Sequence, residues 1–208
     1  NILEPTYSVW RQLQHGQEKI IRFGKYHRRF PGKLRKQNGH EHQCSILFLL
    51  TYFLIRIRPY VALDESLLTL CTIVHDIPEG ILGIDTPAPL KTHLDDLREY
   101  ITFEKLNRQI ERVVWRDLQK AFLLQFTLDN PTCFPDDARK VMGKLKVNKR
   151  MEALFFDGLQ RLDYLFYAYE CHLERGMSVV LQEVVHNQFY RLACIAEDLP
   201  GFATVVWT

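Results

Sequence analysis

The chain has 208 residues, of which 47% are hydrophobic and 25% charged, and its formal net charge is +2. This length fits one ordinary domain with a substantial core, and this balance is typical of a globular protein. A charge so close to neutral argues neither for nor against a nucleic-acid partner. The longest apolar run, residues 46–55, is too short to span a membrane.

Cysteine usage bears on the cellular compartment. The cysteines are odd in number, widely spaced and free of any CxxC pair: Cys44, Cys71, Cys133, Cys171 and Cys194. This usage favours buried thiols in a reducing compartment over a disulfide framework or a cysteine zinc site. No secretory signal is visible, and we therefore expect a cytoplasmic protein.

Helical periodicity dominates the first part of the chain. Apolar residues at three- and four-residue steps predict an amphipathic helix over residues 6–23, and the basic, glycine-punctuated stretch 24–39 predicts a loop. A central helix, apolar on most sides, is predicted over residues 41–58, where the following proline ends it. Asp64 is predicted to cap a helix that runs to His75.

The second half of the chain is also helical in pattern. Pro78, Pro87 and Pro89 predict an irregular segment before it. Further helices are predicted over residues 91–127 with one break, 136–146, 149–175 and 178–198. No alternating run qualifies as a strand, and no internal repeat is present. The sequence therefore predicts an all-α fold, a single compact helical bundle of six or more helices that forms one domain over residues 1–208.

The stretch CTIVHDIPEGILGIDTPAP contains the strongest chemical signal, because an apolar helix ends there in adjacent His75 and Asp76. Glu41 and His42 stand at the start of the central apolar helix. Two histidines and a carboxylate from helix ends, with one further ligand, would make a divalent-metal site that leaves positions for water and substrate. The alternative is that both histidines are ordinary helix-terminal residues, as in most isolated His-Asp pairs.

In order and spacing, these residues resemble the HD-domain phosphohydrolases, closest to their 5′-deoxynucleotidase-like branch. The resemblance covers roughly residues 25–176 and rests on Glu41-His42, His75-Asp76-x-x-Glu79, Asp85-x-Pro87-x-Pro89-x-Lys91 and residues 161–170. It implies an HD-type helical domain, a nucleotide substrate and one divalent metal ion, with Mn, Co, Ni, Fe and Mg all open as its identity.

The resemblance also implies roles for single residues. His42, His75 and Asp76 match three of the family's four protein metal ligands. Glu79 matches a carboxylate that assists proton transfer, and Asp85 matches a second carboxylate near the substrate.

A substrate-binding role is implied for basic residues. In the resembling family an arginine upstream of the first histidine reaches the substrate phosphate, and Arg28 or Arg29 would match it. A solvated surface loop is an equal alternative for the basic run that holds them. Lys91 keeps the family's spacing after Asp85.

The fourth metal ligand is the position that fits the resemblance least well. The family has an aspartate there, and the best register puts Gln160 at this position. Asp157 and Asp163 lie three residues to either side, each rotated by about 60° and shifted by about 4.5 Å along a helix. A slip in register would make either aspartate the ligand instead, and without one the site would be held by three strong ligands or be weakened.

The sequence therefore predicts a metal-dependent phosphohydrolase, a nucleotidase that converts a (deoxy)nucleoside 5′-monophosphate to nucleoside and phosphate. Alternatives are a deoxynucleoside triphosphohydrolase and a degenerate HD protein that binds nucleotide without hydrolysis. A basic, metal-free nucleic-acid-binding protein is not expected, because no recognised binding module is present. No membrane partner is expected, and a homodimer is the association that we consider.

Overall fold

The structure of the chain is a computed structural model that describes residues 11, 14–86, 90–129 and 131–207. These residues form helices and no strand, with an isolated bridge between Ile21 and Asn38. The predicted all-α class and compact bundle of helices are therefore confirmed. Residues 6–10, 12 and 13 of the first predicted helix, together with Pro87 and Pro89, lie outside the described residues.

The helices follow one another with short connections. Residues 14–19 are helical and are called α1 here. The next helices are α2 (Gly24–Arg29), α3 (Gly39–Ile57), α4 (Glu65–Val74), α5 (Ile77–Leu82) and α6 (His93–Glu104). A 3-10 helix at Lys105–Gln109 leads to α7 (Arg112–Leu124), α8 (Asp136–Asn148), α9 (Arg150–Arg175), α10 (Val179–Asp198) and α11 (Phe202–Trp207).

Two segments that were predicted to be irregular contain short helices. The predicted loop 24–39 begins with α2, where the buried Tyr26 packs into a small apolar cluster with Phe23 and Tyr167. Such a short helix depends on packing more than on propensity. Pro78 does not prevent α5, because it lies in the first turn, where a missing backbone N–H costs no helical hydrogen bond.

Helices α3, α4 and α9 pack against one another at the centre of the fold. The main hydrophobic core is buried between these three helices, α6 to α8 and the last two helices. The predicted break in the 91–127 stretch is confirmed, since the 3-10 helix and an extended Ile110 separate α6 from α7. This packing brings the start of α3, the end of α4 and the middle of α9 to one place.

Side-chain caps fix the ends of the two helices that carry the candidate metal ligands. Asn38 accepts from the backbone N–H of Glu41 at 2.8 Å, and Glu41 accepts from the backbone N–H of Asn38 at 3.0 Å. This reciprocal pair starts α3 just before His42. The predicted cap Asp64 is confirmed, because its carboxylate accepts from the N–H of Leu67 at 3.0 Å.

The backbones of α1 and α5 approach each other closely at two glycines. A Cβ atom on Gly16 would lie 2.8 Å from the Gly80 backbone, and one on Gly80 would lie 2.7 Å from Nε2 of Gln17. Any larger side chain would therefore separate the two segments. The contact holds Gln17 where its Nε2 donates to the carbonyl oxygen of Asp76 at 2.5 Å.

The five cysteines are free thiols, and the predicted burial holds for Cys71 and Cys171, whereas Cys44 is exposed and Cys133 and Cys194 are half-buried. Among the described helices, none has the length and apolar character needed to cross a membrane.

Candidate metal centre

Three potential ligand atoms meet where α3, α4 and the start of α5 converge. Nε2 of His42 lies 3.3 Å from Nε2 of His75, and Oδ2 of Asp76 lies 3.4 Å and 3.3 Å from these two nitrogens. Both histidines are 1% exposed. Among the described residues, these three form a His/Cys/Asp/Glu group close enough to share one ion.

The outer hydrogen bonds of the histidines determine which ring nitrogen faces the centre. Nδ1 of His75 lies 2.9 Å from the carbonyl oxygen of Thr72, which only accepts, so Nδ1 carries the proton. Nδ1 of His42 lies 2.6 Å from Oδ2 of Asp163. A neutral ring that donates through Nδ1 has a lone pair at Nε2, so both histidines present lone pairs beside the Asp76 carboxylate.

The protonation states of these groups suit a cation. Burial and the neighbouring Arg22 lower the pKa of His42, even though Asp163 and Asp76 act in the opposite direction. Burial opposes the ionisation of Asp76, but its pKa is held well below the usual range by His75 and His42 in their protonated forms and by Arg22, which remains charged when the histidines are neutral. At neutral pH the centre therefore combines a neutral His42 with a carboxylate, and both can donate an electron pair to a metal ion.

The spacing of the three atoms agrees with coordination of one small divalent ion. Ligand nitrogen and oxygen atoms lie about 2.1 Å from such an ion, and two of them that are tetrahedrally arranged are then about 3.4 Å apart. An octahedral right angle would bring them to about 3.0 Å. The observed 3.3–3.4 Å lies between these limits, nearer the tetrahedral one. The residues therefore fit the metal that the sequence predicts.

Arg22 is the arginine at this centre, and the sequence analysis missed it. It is buried, and its Nη1 donates to Oδ2 of Asp76 at 2.9 Å while its Nη2 donates to Tyr164 at 3.2 Å. The predicted phosphate-binding residues Arg28 and Arg29 are instead exposed on α2 and do not line the cavity described below. Arg22 stands at the end of the first predicted helix, where no motif distinguishes it.

The backbone beside Arg22 is held in an unusual conformation. Phe23 has a φ of 59°, in the left-handed region that residues other than glycine adopt at a cost. Its N–H donates to the carboxylate of Asp85, and its ring stacks on Tyr167 with the centroids 4.7 Å apart. Asp85 therefore stabilises the turn that directs Arg22 into the centre.

A second charged cluster lies beside the metal centre. Nζ of Lys91 is 2.7 Å from Oε2 of Glu99, 3.4 Å from Oε1 of Glu79 and 3.8 Å from Oδ1 of Asp96. Burial raises the pKa of Glu79 well above its usual range, and Asp76 adds to the rise against the opposing effect of Lys91. Glu79 is therefore a buried carboxyl suited to proton transfer, and Glu99 is a partner of Lys91 that no sequence pattern indicated.

These groups border one cavity of about 320 Å³. Its wall contains Arg22, Asp76, Glu79, Asp85, Lys91, Asp157, Gln160, Tyr164 and further residues of α6, α9, α10 and the segment after α7. Most of the predicted site residues therefore meet in one place. His42 and His75 are buried next to Asp76, as the distances above show.

The three candidates for the fourth ligand occupy different environments. Gln160 lines the cavity, in the register that the sequence analysis favoured. Asp157 also lines it, but its carboxylate accepts from Arg161 at 2.9 Å and from Arg191 at 2.7 Å. Asp163 is bonded to the outer nitrogen of His42, and burial notwithstanding, His42 and Arg22 keep its pKa below the usual range. Asp163 thus orients the His42 ring.

Comparison of the chain with protein-family models, curated proteins and solved structures gives no match.

Proposed function

We propose that this chain is a metal-dependent phosphohydrolase of the HD-domain type that acts on nucleotides. The observation that carries the proposal is the convergence of His42 Nε2, His75 Nε2 and Asp76 Oδ2 within 3.3–3.4 Å. Three electron-pair donors crowded in a buried place repel one another, and a divalent cation shared by all three would relieve this repulsion more fully than the hydrogen bond from Arg22 to Asp76 does. The most favoured reaction converts a (deoxy)nucleoside 5′-monophosphate to nucleoside and phosphate.

His42, His75 and Asp76 would hold the metal, and Asp163 and the Thr72 carbonyl would keep the two rings in the required orientation. A divalent ion in this position supplies Lewis acidity toward a phosphoryl oxygen and toward water. Gln160 would lie at the open side of the site, where an uncharged oxygen adds less to the binding of a hard cation than a carboxylate.

Neighbouring residues would supply proton transfer, charge stabilisation and positioning. Glu79 would take a proton from the attacking water, because its buried carboxyl has a raised pKa and lines the same cavity. Arg22 would stabilise the negative charge that develops on the phosphoryl oxygens, since its guanidinium lines the cavity beside Asp76. Lys91 would hold Glu79 in position.

The proposal is tested by measuring metal content and product release together. The purified chain is loaded with Mn, Co, Ni, Fe or Mg and screened on nucleotides for phosphate, pyrophosphate and tripolyphosphate. His75→Ala and Asp76→Ala should each lose the metal and reduce activity by several orders of magnitude. His186→Ala, an exposed histidine of α10, is the control and should retain both. Full activity with metal retained in either site variant would refute the site.

A second candidate function is nucleotide binding without hydrolysis. It is favoured by Gln160, because the cavity has a neutral amide at the position where a fourth carboxylate would strengthen metal binding. Measurable nucleotide affinity without turnover under any of the five metals would support this candidate over the hydrolase.

A further inference from the structure

The wall formed by α9 and α10 carries two arginines that the proposed hydrolysis does not use. Arg161 and Arg191 line the same cavity as Asp76. The buried carboxylate of Asp157 accepts from Nε of Arg161 at 2.9 Å and from Nε of Arg191 at 2.7 Å. Nη1 of Arg161 also donates to Oε1 of Gln188 at 3.1 Å. These contacts fix both guanidinium groups in the cavity wall.

The fixed guanidinium groups keep unused donors and unbalanced charge. Each guanidinium has N–H donors on both Nη atoms besides Nε, and those of Arg191 bond to no described residue. One carboxylate balances one of the two positive charges. The other carboxylates on the cavity wall have partners elsewhere: Arg22 for Asp76, Lys91 for Glu79 and Asp96, and the N–H of Phe23 for Asp85. Asp129 is exposed and forms no ion pair with either arginine, although it lies near enough to act on Arg191 electrostatically.

Two arginines on one carboxylate are not needed merely to link α9 to α10. Arg150 of α9 and Asp198 of α10 make a direct link between the same helices, with 2.6 Å between Nη2 and Oδ2. That pair is exposed, lies outside the cavity and joins one arginine to one carboxylate. At Asp157 a second arginine is added, and both arginines face the space where a ligand would lie. This local excess of guanidinium donors beside Asp157 is the feature that indicates an anionic ligand, although the cavity wall as a whole carries more carboxylates than arginines and lysines.

We propose that Arg161 and Arg191 form a second phosphate site, so that the cavity prefers a nucleotide with a further phosphate group there over the simple 5′-monophosphate. This inference rests on the proposed function for the first phosphate. Guanidinium groups match phosphate oxygens with paired N–H donors, and groups already held by Asp157 lose little freedom on binding. A nucleoside 5′-monophosphate offers this wall no anion, whereas a nucleoside 5′-diphosphate or 3′,5′-bisphosphate does.

Binding to the metal-free chain tests the second site independently of catalysis. In EDTA, isothermal titration would compare dAMP, dADP and deoxyadenosine 3′,5′-bisphosphate. At least one of the two doubly phosphorylated ligands should bind about 10- to 100-fold more tightly than dAMP, as expected for charged hydrogen bonds. The ligand that shows this advantage identifies whether the second phosphate extends the 5′ chain or lies on the 3′ oxygen.

Variants show whether the arginines cause the advantage. Arg191→Gln should remove most of it while leaving the affinity for dAMP within about twofold, and the matched control Arg150→Gln should retain it. If Arg191→Gln does not fold, Arg191→Lys keeps the charge beside Asp157 but lacks the paired donors, and it should lose several-fold of the advantage. Equal affinity of all three ligands, or an advantage that survives in the Arg191 variant, overturns the proposal.

The two proposals fail in different ways. A chain that binds no metal at His42, His75 and Asp76 would refute the hydrolase, and the discrimination between ligands in EDTA would still stand. A chain that hydrolyses nucleoside monophosphates but shows no preference for a second phosphate would refute only the second site.

Discussion

Replacing Asp163 by asparagine should weaken metal binding without removing a ligand. Oδ2 of Asp163 lies 2.6 Å from Nδ1 of His42, and the residue is 2% exposed. Asparagine keeps the size and one acceptor oxygen but loses the negative charge. The His42 ring then stays in place but becomes a weaker donor to a cation, because no anion polarises its N–H bond.

The expected loss follows from the strength of this one hydrogen bond. A hydrogen bond to a charged group contributes about 1.5–3 kcal/mol. Loss of an outer carboxylate partner of a metal-ligating histidine typically costs about 10- to 100-fold in metal affinity. At about 1.4 kcal/mol for each tenfold change, the two ranges agree. We therefore expect the metal dissociation constant of Asp163→Asn to rise by about 10- to 100-fold.

The assay is a titration of the metal-free protein with Co²⁺ or Mn²⁺ at neutral pH, with thermal unfolding as the check on folding. Asp157→Asn is the matched control, since Asp157 lies on the same helix and also borders the site. Its carboxylate is bonded to two arginines, so metal affinity should change little. A loss that is large in Asp157→Asn and small in Asp163→Asn would refute the assignment of Asp163 as the orienting residue.

Three further outcomes are expected. Glu79→Gln should keep the metal and reduce turnover by about 10²–10⁴, and loss of metal with the fold intact would identify Glu79 as a ligand. Gln160→Asp should tighten metal binding in the same titration, since it adds a negative oxygen at the open side; an unchanged affinity would argue against the Gln160 register. Asp64→Ala should lower the free energy of unfolding by about 1 kcal/mol at pH 7 through loss of the cap. The hydrogen bonds from Lys149 and Leu67 lower the pKa of Asp64 in the folded state. The stability difference between the wild type and Asp64→Ala should therefore reach its full size above pH 3.8, the unfolded-state value, and decrease as the pH falls through the lower folded-state pKa. Urea unfolding at several pH values would measure this difference.

The convergence of His42, His75 and Asp76 could be predicted from the sequence because these residues stand at helix ends. Apolar periodicity located the helices, and His42 and His75-Asp76 then marked two ends that pack together at the centre of a bundle. The lengths of α3 and α9 were predicted to within two residues, since long periodic segments leave little choice. The cap at Asp64 was equally clear, because an acidic residue directly precedes an apolar helix.

The residues that were not predicted act through contacts between distant segments. Arg22 reaches Asp76 across 54 positions of sequence, and Asp163 reaches His42 across 121. Glu99 bonds to Lys91 only eight positions earlier, but it is one charged residue among several on α6 and no pattern distinguishes it. Periodicity describes which face of a helix is buried, but it does not identify the polar partner that a buried charge meets.

The paired glycines at positions 16 and 80 connect α1 to the candidate metal centre through static contacts, from which we expect their motions to be coupled. Their backbones touch, and Gln17 beside them bonds to the carbonyl of Asp76. A cation bound by Asp76 should restrict the movement of this residue and, through Gln17, of the neighbouring α1. Hydrogen–deuterium exchange at residues 14–20 should therefore become slower, although these residues supply no metal ligand. A methyl group at position 80 would act as a wedge that uncouples the two segments, so the slowing would disappear in Gly80→Ala even where the ion still binds.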